Sequence, residues 1–237
     1  MAIRSIHTIG NSPRQFGVIF VLAVTISCLL SAGAFSDEMP ILSSEFWVET
    51  APLIEIEGES TESPEDQIRI LLEEARYVFS GMIYGFSFRY VPLDLRREVE
   101  EEFELEPLYE IVWGDPRLTV AESRRESGRR YALIRYWISE EQSSWVRFWD
   151  SNVHATAAAF GAGDFFDGRV AKFAAMEAAI RESVRAYLRP RELNKPKEIS
   201  GRLVFAEAPY VIIDGGEYRA KVEVKLDVRE VVQYQIF

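Results

Sequence analysis

Asp167–Leu188, DGRVAKFAAMEAAIRESVRAYL, is the most strongly patterned stretch of the chain. Val170, Phe173, Met176, Ile180, Val184 and Tyr187 recur three or four residues apart, which lines them up along one side of a 3.6-residue helix. Ala174, Ala175, Ala178 and Ala179 widen that strip without bulk, so the spacing predicts a helix lying close against another layer, with Arg169, Lys172, Arg181, Glu182 and Arg185 in water. Glu177 and Arg181 stand in the favourable i, i+4 order. Asp167 is expected to cap the first turn, and Pro190 to stop the helix after Leu188. Membrane-surface helices usually carry a basic face and large apolar anchors, whereas this stripe is widened by alanine, so the expected neighbour is a sheet.

Outward from this helix, strands and turns dominate. Phe46-Trp47-Val48 and Leu53–Glu57 read as strand, and Ser63-Pro64-Glu65-Asp66 opens an earlier helix, with Ser as cap, Pro in the first turn and acids beside the helix dipole. Ile68, Leu71, Leu72, Ala75, Val78 and Phe79 supply its buried stripe. In Met82–Val91, Tyr84, Phe86, Phe88 and Tyr90 alternate with smaller or polar residues, which predicts a strand with one aromatic face. Asp94–Phe103 reads as a short acidic helix, Leu108–Trp113 and Arg117–Glu122 as strands, and Ser123–Arg130 as a hairpin tip leading into a strand over Tyr131–Ile138. Ser139-Glu140-Glu141-Gln142 is a capping box for a helix to about Trp149. Val153–Phe160 predicts a strand and Gly161–Gly168 the turn into the helix described first. Ile199–Glu207, Tyr210–Ile213 and the alternating YRAKVEVKLDV complete the strands.

The order strand, helix, hairpin thus occurs twice. Phe46-Trp47 echoes Phe148-Trp149, Gly58 answers to Gly161 and Glu74-Ala75 to Glu177-Ala178. RLTVAE at Arg117–Glu122 matches RLVFAE at Arg202–Glu207. The first copy is longer between helix and hairpin by the aromatic strand and Asp94–Phe103. The fold expected is α+β: two related helix-on-antiparallel-sheet units of β-α-β-β order, behind a signal peptide. The boundaries are 1–34 for the signal peptide, 35–44 for an acidic leader, 45–138 for the first unit and 139–237 for the second.

The signal peptide rests on Arg4 and Arg14, the uncharged apolar run Phe16–Leu30 and the small residues Ser31–Ala34, with an Ala-x-Ala site at Ala32 and Ala34. The run is shorter than the ~20 residues of a spanning helix. Export to the periplasm or cell envelope is the expectation. An uncleaved anchor or a lipidated Cys28 are the alternatives, and they are the routes by which a membrane would enter. Cleavage would remove the single cysteine, leaving no disulfide, thiol nucleophile or Cys-ligated zinc. It would also take two basic residues and no acid from a chain of net charge −11. Residues 36–66 carry ten acids and no basic residue. So acidic a surface points away from nucleic acid and toward a protein partner or oligomer.

In the second half, a strand with a Gly near its end, a helix with Ala171, Ala175 and Ala179 along it, and a Gly-led strand pair ending in YRAKVEVKLDV resemble the amino-terminal module of the periplasmic flagellar-assembly protein FlgT and related small bacterial envelope lipoproteins. The resemblance covers residues 153–228. It implies a helix packed on a small antiparallel sheet, no known catalytic centre, and an envelope-associated structural or assembly role.

Candidate chemistry is sparse. His154 is the histidine beyond the signal, and no G-x-S-x-G elbow accompanies it, so strand-edge packing is its expected role. Gly161-Ala162-Gly163 lacks the rest of a phosphate loop and reads as a turn into the helix. Asp150, Asp164 and Asp167 do not have EF-hand spacing. A carboxylate pair for glycoside hydrolysis stays open, because its separation is a three-dimensional quantity. No cofactor or metal is expected. Arg124, Arg125, Arg129 and Arg130 form the one basic cluster, a candidate partner-binding surface or a solvated turn. Tyr84, Phe86, Phe88 and Tyr90 are the candidate ligand groove, and Trp113, Trp137, Trp145 and Trp149 either join it or fill a core. The reading is therefore a non-enzymatic structural or assembly component of a bacterial envelope, with a small-ligand or glycan-binding module as the alternative.

Overall fold

The computed structural model describes residues 40–50, 63–191 and 194–234. The signal-peptide region with Cys28, the strand expected over Leu53–Glu57 and the following Gly58–Glu62 lie outside them. Strand β1 (Ile41–Glu49) comes first. Ile41–Ser44 therefore belong to a strand and not to an acidic leader, because they pair with Ile134–Trp137. Helix α1 (Pro64–Ile83) starts as expected, the Ser63 hydroxyl accepting from the Asp66 N–H. Strands β2 (Phe86–Val91) and β3 (Glu102–Pro107) follow, then the hairpin β4 (Leu118–Glu126) and β5 (Arg129–Trp137). Helix α2 (Glu140–Trp149) begins at a complete capping box between Ser139 and Gln142. Strand β6 (Ala155–Asp164) leads through a 3-10 turn into α3 (Arg169–Leu188), and β7 (Glu198–Phe205), β8 (Tyr210–Asp214) and β9 (Glu217–Val232) close the chain.

The strands form two antiparallel sheets, and the fold is α+β. One has the order β1-β5-β4, the other β3-β2-β7-β9-β6, with β8 beside β9 as well. In both sheets a strand, a helix and a strand pair follow one another, and the first strand lies beside the last: β1 beside β5, β6 beside β9. The expected boundary between residues 138 and 139 does not separate the sheets. Strand β2, from before it, pairs with β7, from after it, Phe86 opposite Leu203. The cause is apolar: the alternate residues Phe86, Phe88 and Tyr90 need cover on one face, and they join one continuous cluster of buried side chains that runs through both sheets.

Three local expectations are corrected. Asp94–Phe103 is not a helix: Asp94 and Val99 bridge, the Asp94 carboxylate accepts from the Arg96 N–H, and Glu98 has a positive φ of 55°. Phe103 and Leu105 then alternate with glutamates along β3. Leu108–Trp113 is not a strand; Ile111 is buried there and its N–H donates to the Ser80 hydroxyl on α1 at 2.9 Å. Phe148-Trp149 ends α2, whereas Phe46-Trp47 lies on β1, so those dipeptides do not correspond in structure.

Helix α3 forms where its periodicity says, yet rotated. Val170 is 73% exposed, and the buried side carries Ala171, Lys172, Ala175, Met176, Ala179, Ile180, Ser183 and Val184. Strand β6 sets this. A Cβ on Gly161 would stand 2.2 Å from the Ala179 nitrogen, and one on Gly163 2.2 Å from the Ala171 carbonyl oxygen. The helix comes down on glycine, so its alanine edge makes the contact. Gly161-Ala162-Gly163 is thus strand, not turn. Asp167 is not the cap either; Gly168 occupies that place at φ 64° without a side-chain bond, and Asp164 accepts from the Phe166 N–H.

Candidate functional site

The four hairpin arginines are brought together, but each is engaged within the molecule. Arg124 makes a forked pair with Glu45 and lies over the Tyr131 ring. Arg125 donates to the Thr50 hydroxyl at 3.0 Å and Arg130 to Gln67 at 2.7 Å. Arg129 stacks on Trp47, its guanidinium carbon 4.4 Å from the ring centroid. The arginines fasten the hairpin to β1 and α1, so the basic patch is largely spent on its own chain.

The expected aromatic groove is filled. Phe86 packs against Phe205 with ring centroids 5.3 Å apart, Phe88 is buried, and Tyr90 is buried with its hydroxyl donating to Glu101. Tyr84 ends α1, where its hydroxyl accepts from Gln142 and its ring meets Trp145. Three of these four rings lie in the core, where Phe86 meets Tyr77 and Phe205, Phe88 lies against Gly201 and Tyr90 meets Phe103.

A buried polar chain that the sequence did not reveal joins the two sheets. Lys172, 6% exposed, reaches from α3 to Glu74 on α1, with both carboxylate oxygens within 2.8 Å, and donates to the Trp47 carbonyl at 2.8 Å. It thus holds one carboxylate and one carbonyl by hydrogen bonds, and its ammonium nitrogen lies 4.3 Å from the centre of the Trp47 ring. Burial pushes the Glu74 carboxyl above its ordinary range, against the opposing pull of Lys172. Nearby, the Tyr218 hydroxyl donates to Glu49 at 3.1 Å; burial first, and then Glu49, raises its pKa. The Trp47 indole N–H donates to the Val211 carbonyl and so ties β1 to β8. Hollows of about 150 and 430 Å³ flank Trp47, the larger bounded also by Tyr131, Pro209 and Tyr210. A buried ammonium shared between a carboxylate and a carbonyl acts as a strut between α3, α1 and β1. The available signal was spacing: Lys172, Met176, Ala179 and Ser183 share one helical stripe, as do Leu71, Glu74 and Val78.

The other missed feature is the outer edge of β6. This strand ends its sheet, and among the described residues no strand pairs with its far side. Ala155–Gly163 is a nine-residue run without a charge, and Phe160 at its middle is 70% exposed. Thr156, Ala158, Phe160, Ala162 and Asp164 face away from α3. The remaining candidates do not assemble. His154 packs on Phe148 and Trp149 in the bend before β6. Asp150 pairs with Lys225 at 2.9 Å while Asp164 caps the 3-10 turn, and no metal-binding group of acids or histidine occurs among the described residues. Trp149 is buried, Trp137 and Trp145 are partly so, and Trp113 stands half exposed in a loop, so the four tryptophans line no common groove.

A protein-family model matches residues 30–234, a span that takes in every element described above. The chain belongs to that family. A relative from Treponema pallidum (strain Nichols), described as "Uncharacterized protein", is 23% identical over 197 residues, 83% of each chain. No solved structure matches. The chain is thus a bacterial α+β protein, and the polar strut and the open strand edge both fall within the family's span.

Proposed function

We propose that the chain is an exported, non-enzymatic structural or assembly component of a bacterial cell envelope, working through the open edge of β6. One observation carries this reading: β6 is a long outer strand without the usual guards. Natural sheets blunt their edges with charge, bulges or shortness. Strand β3 carries Glu102, Glu104 and Glu106, β4 carries Arg124, Arg125 and Glu126 beyond a bulge, and β1 carries Glu45 and Glu49. Strand β6 carries no charge until Asp164. Export is supported by the apolar run and its Ala-x-Ala site, and the assembly role by the resemblance to the envelope modules. The shared orders β1-β5-β4 and β6-β9-β7, with RLTVAE running into β4 and RLVFAE running out of β7, support an internal duplication into which β2 and β3 were inserted.

Fractionation tests the proposal. The chain should be recovered from the envelope with an amino terminus near Phe35, in a complex that Ala158→Lys disrupts while circular dichroism is unchanged. Recovery as a free cytosolic monomer would contradict it.

The second reading, a small-ligand or glycan-binding module, is favoured by the hollow of about 430 Å³ beside Trp47, which is of ligand size. It predicts that envelope polysaccharides quench tryptophan fluorescence and that Tyr210→Ala abolishes the response. An unchanged spectrum would remove this reading.

A further inference from the structure

We infer that the occupant of the β6 edge is β6 of a second copy of this chain, laid antiparallel and centred on Phe160; the inference rests on the edge reading above. The hydrogen-bond alternation of the sheet supports it. At the end of the β6–β9 ladder the Phe165 N–H donates to the Gly216 carbonyl, and on the other side of β9 the Ala206 N–H donates to the Glu223 carbonyl. Antiparallel ladders use alternate residues on each side of a strand. Both bonds therefore make the odd-numbered residues of β6 point N–H and C=O at β9. The even-numbered ones, Thr156, Ala158, Phe160, Ala162 and Asp164, point theirs at the open edge. These are also the residues whose side chains face away from α3.

A two-fold axis through Phe160, perpendicular to the sheet, sets Phe160 opposite Phe160, Ala158 opposite Ala162 and Thr156 opposite Asp164. Every opposed pair then has its N–H and C=O groups aimed at each other, a ladder of roughly ten hydrogen bonds. The interface is isologous, as a closed dimer requires.

Charge selects this register. On β9, Lys225 lies beside Thr156, Glu223 beside Ala158, Lys221 beside Phe160, Arg219 beside Ala162 and Glu217 beside Asp164. With Phe160 at the axis, the Thr156 row, whose Lys225 also holds Asp150, meets the Asp164 row with its two acids. The Ala158 row with Glu223 meets the Ala162 row with Arg219. The central row is a Phe–Phe pair with Lys221 on each flank. Centring on Ala159 instead brings the Lys225 row against the Arg219 row. Centring on Gly161 brings the Glu223 row against Asp164 and Glu217. A slip that pairs even with odd residues sends the side chains to the wrong face. In a chain of net charge −11, which repels its own copies, this register sets the outer rows of the edge against rows of opposite sign.

Single-cysteine variants in the full chain carrying Cys28→Ser test both partner and register. Opposed residues have Cα atoms about 5.5 Å apart, within reach of a disulfide, whereas Ala158 lies roughly 13 Å from its own copy. Phe160→Cys should cross-link to a covalent dimer on mild oxidation. Ala158→Cys and Ala162→Cys should each fail alone and cross-link when mixed, an arm that keeps Phe160 in place. Cross-linking of Ala158→Cys with itself, or no cross-link in any arm, would overturn the inference. If no arm cross-links but Ala158→Lys still removes the chain from its envelope complex, the second copy is wrong and the edge reading stands. If Ala158→Lys leaves that complex intact, the edge reading itself fails and the inference with it.

Discussion

Lys172 gives up its hydration for three acceptors, the two oxygens of Glu74 and the carbonyl of Trp47. Removing one member of such a pair strands the other charge, so Lys172→Met should cost about 3–5 kcal/mol in equilibrium urea unfolding. The double variant Glu74→Leu/Lys172→Met should recover most or all of that loss, because the desolvation of both charges disappears together. The pH dependence has a definite sign. Burial holds the Glu74 carboxyl above its ordinary value of 4.5, so the folded state binds that proton more tightly than the unfolded chain. The stability it contributes is full below the ordinary value and is lost as pH rises through the raised one. Lys172 opposes the shift, and without it the loss deepens. The unfolding midpoint of Lys172→Met should therefore fall more steeply than that of the parent as pH rises above the ordinary carboxyl value of 4.5. Parallel profiles would show that Lys172 does not hold the carboxylate. Periodicity placed Met176, Ile180 and Val184 on the buried stripe, but a lysine reads as a solvent residue unless its partner is known, and Glu74 lies 98 residues away.

The fit between α3 and β6 depends on missing side chains. At Gly161 an added Cβ meets helix backbone at 2.2 and 2.3 Å, and backbone cannot rotate aside. Gly161→Ala should destabilise the fold by about 1–3 kcal/mol in thermal or urea unfolding; a neutral result would contradict the close approach. Ala162→Ser, on the opposite face, should change little and serves as the control. At the hairpin, Arg124 and Glu45 form an exposed pair, so Arg124→Ala should leave the urea-unfolding midpoint nearly unchanged. A clear drop would give that contact a structural weight its exposure does not support. Helices α1 and α2 were readable because caps and periodicity agree in them, and β9 because its alternation is unbroken. The rotation of α3 was not, because two glycines on a neighbouring strand decide it. Asp94–Phe103 misled for a local reason: its apolar residues suit a helix or a strand, and the Asp94 turn decides between them.

At the scale of the whole molecule, the β2–β3 arm is what makes two sheets share one core. The sequence marks this arm as extra material between helix and hairpin, but its pairing with β7 is a contact across more than a hundred residues and leaves no local trace. The expected sites fared accordingly. Phe86, Phe88 and Tyr90 became core, and the hairpin arginines found partners on β1 and α1. The surface we propose for recognition is the edge of β6, readable as a nine-residue uncharged run but not, from sequence, as an outermost strand. Residue-resolved amide exchange across β6 at rising protein concentration tests this most directly. The odd-numbered amides, bonded to β9, should be protected at every concentration. Those of Thr156, Ala158, Phe160, Ala162 and Asp164 should exchange freely in dilute solution and become protected as copies associate. Even-numbered amides that exchange at one rate across the whole range, while the chain associates, would show that its contacts are made elsewhere.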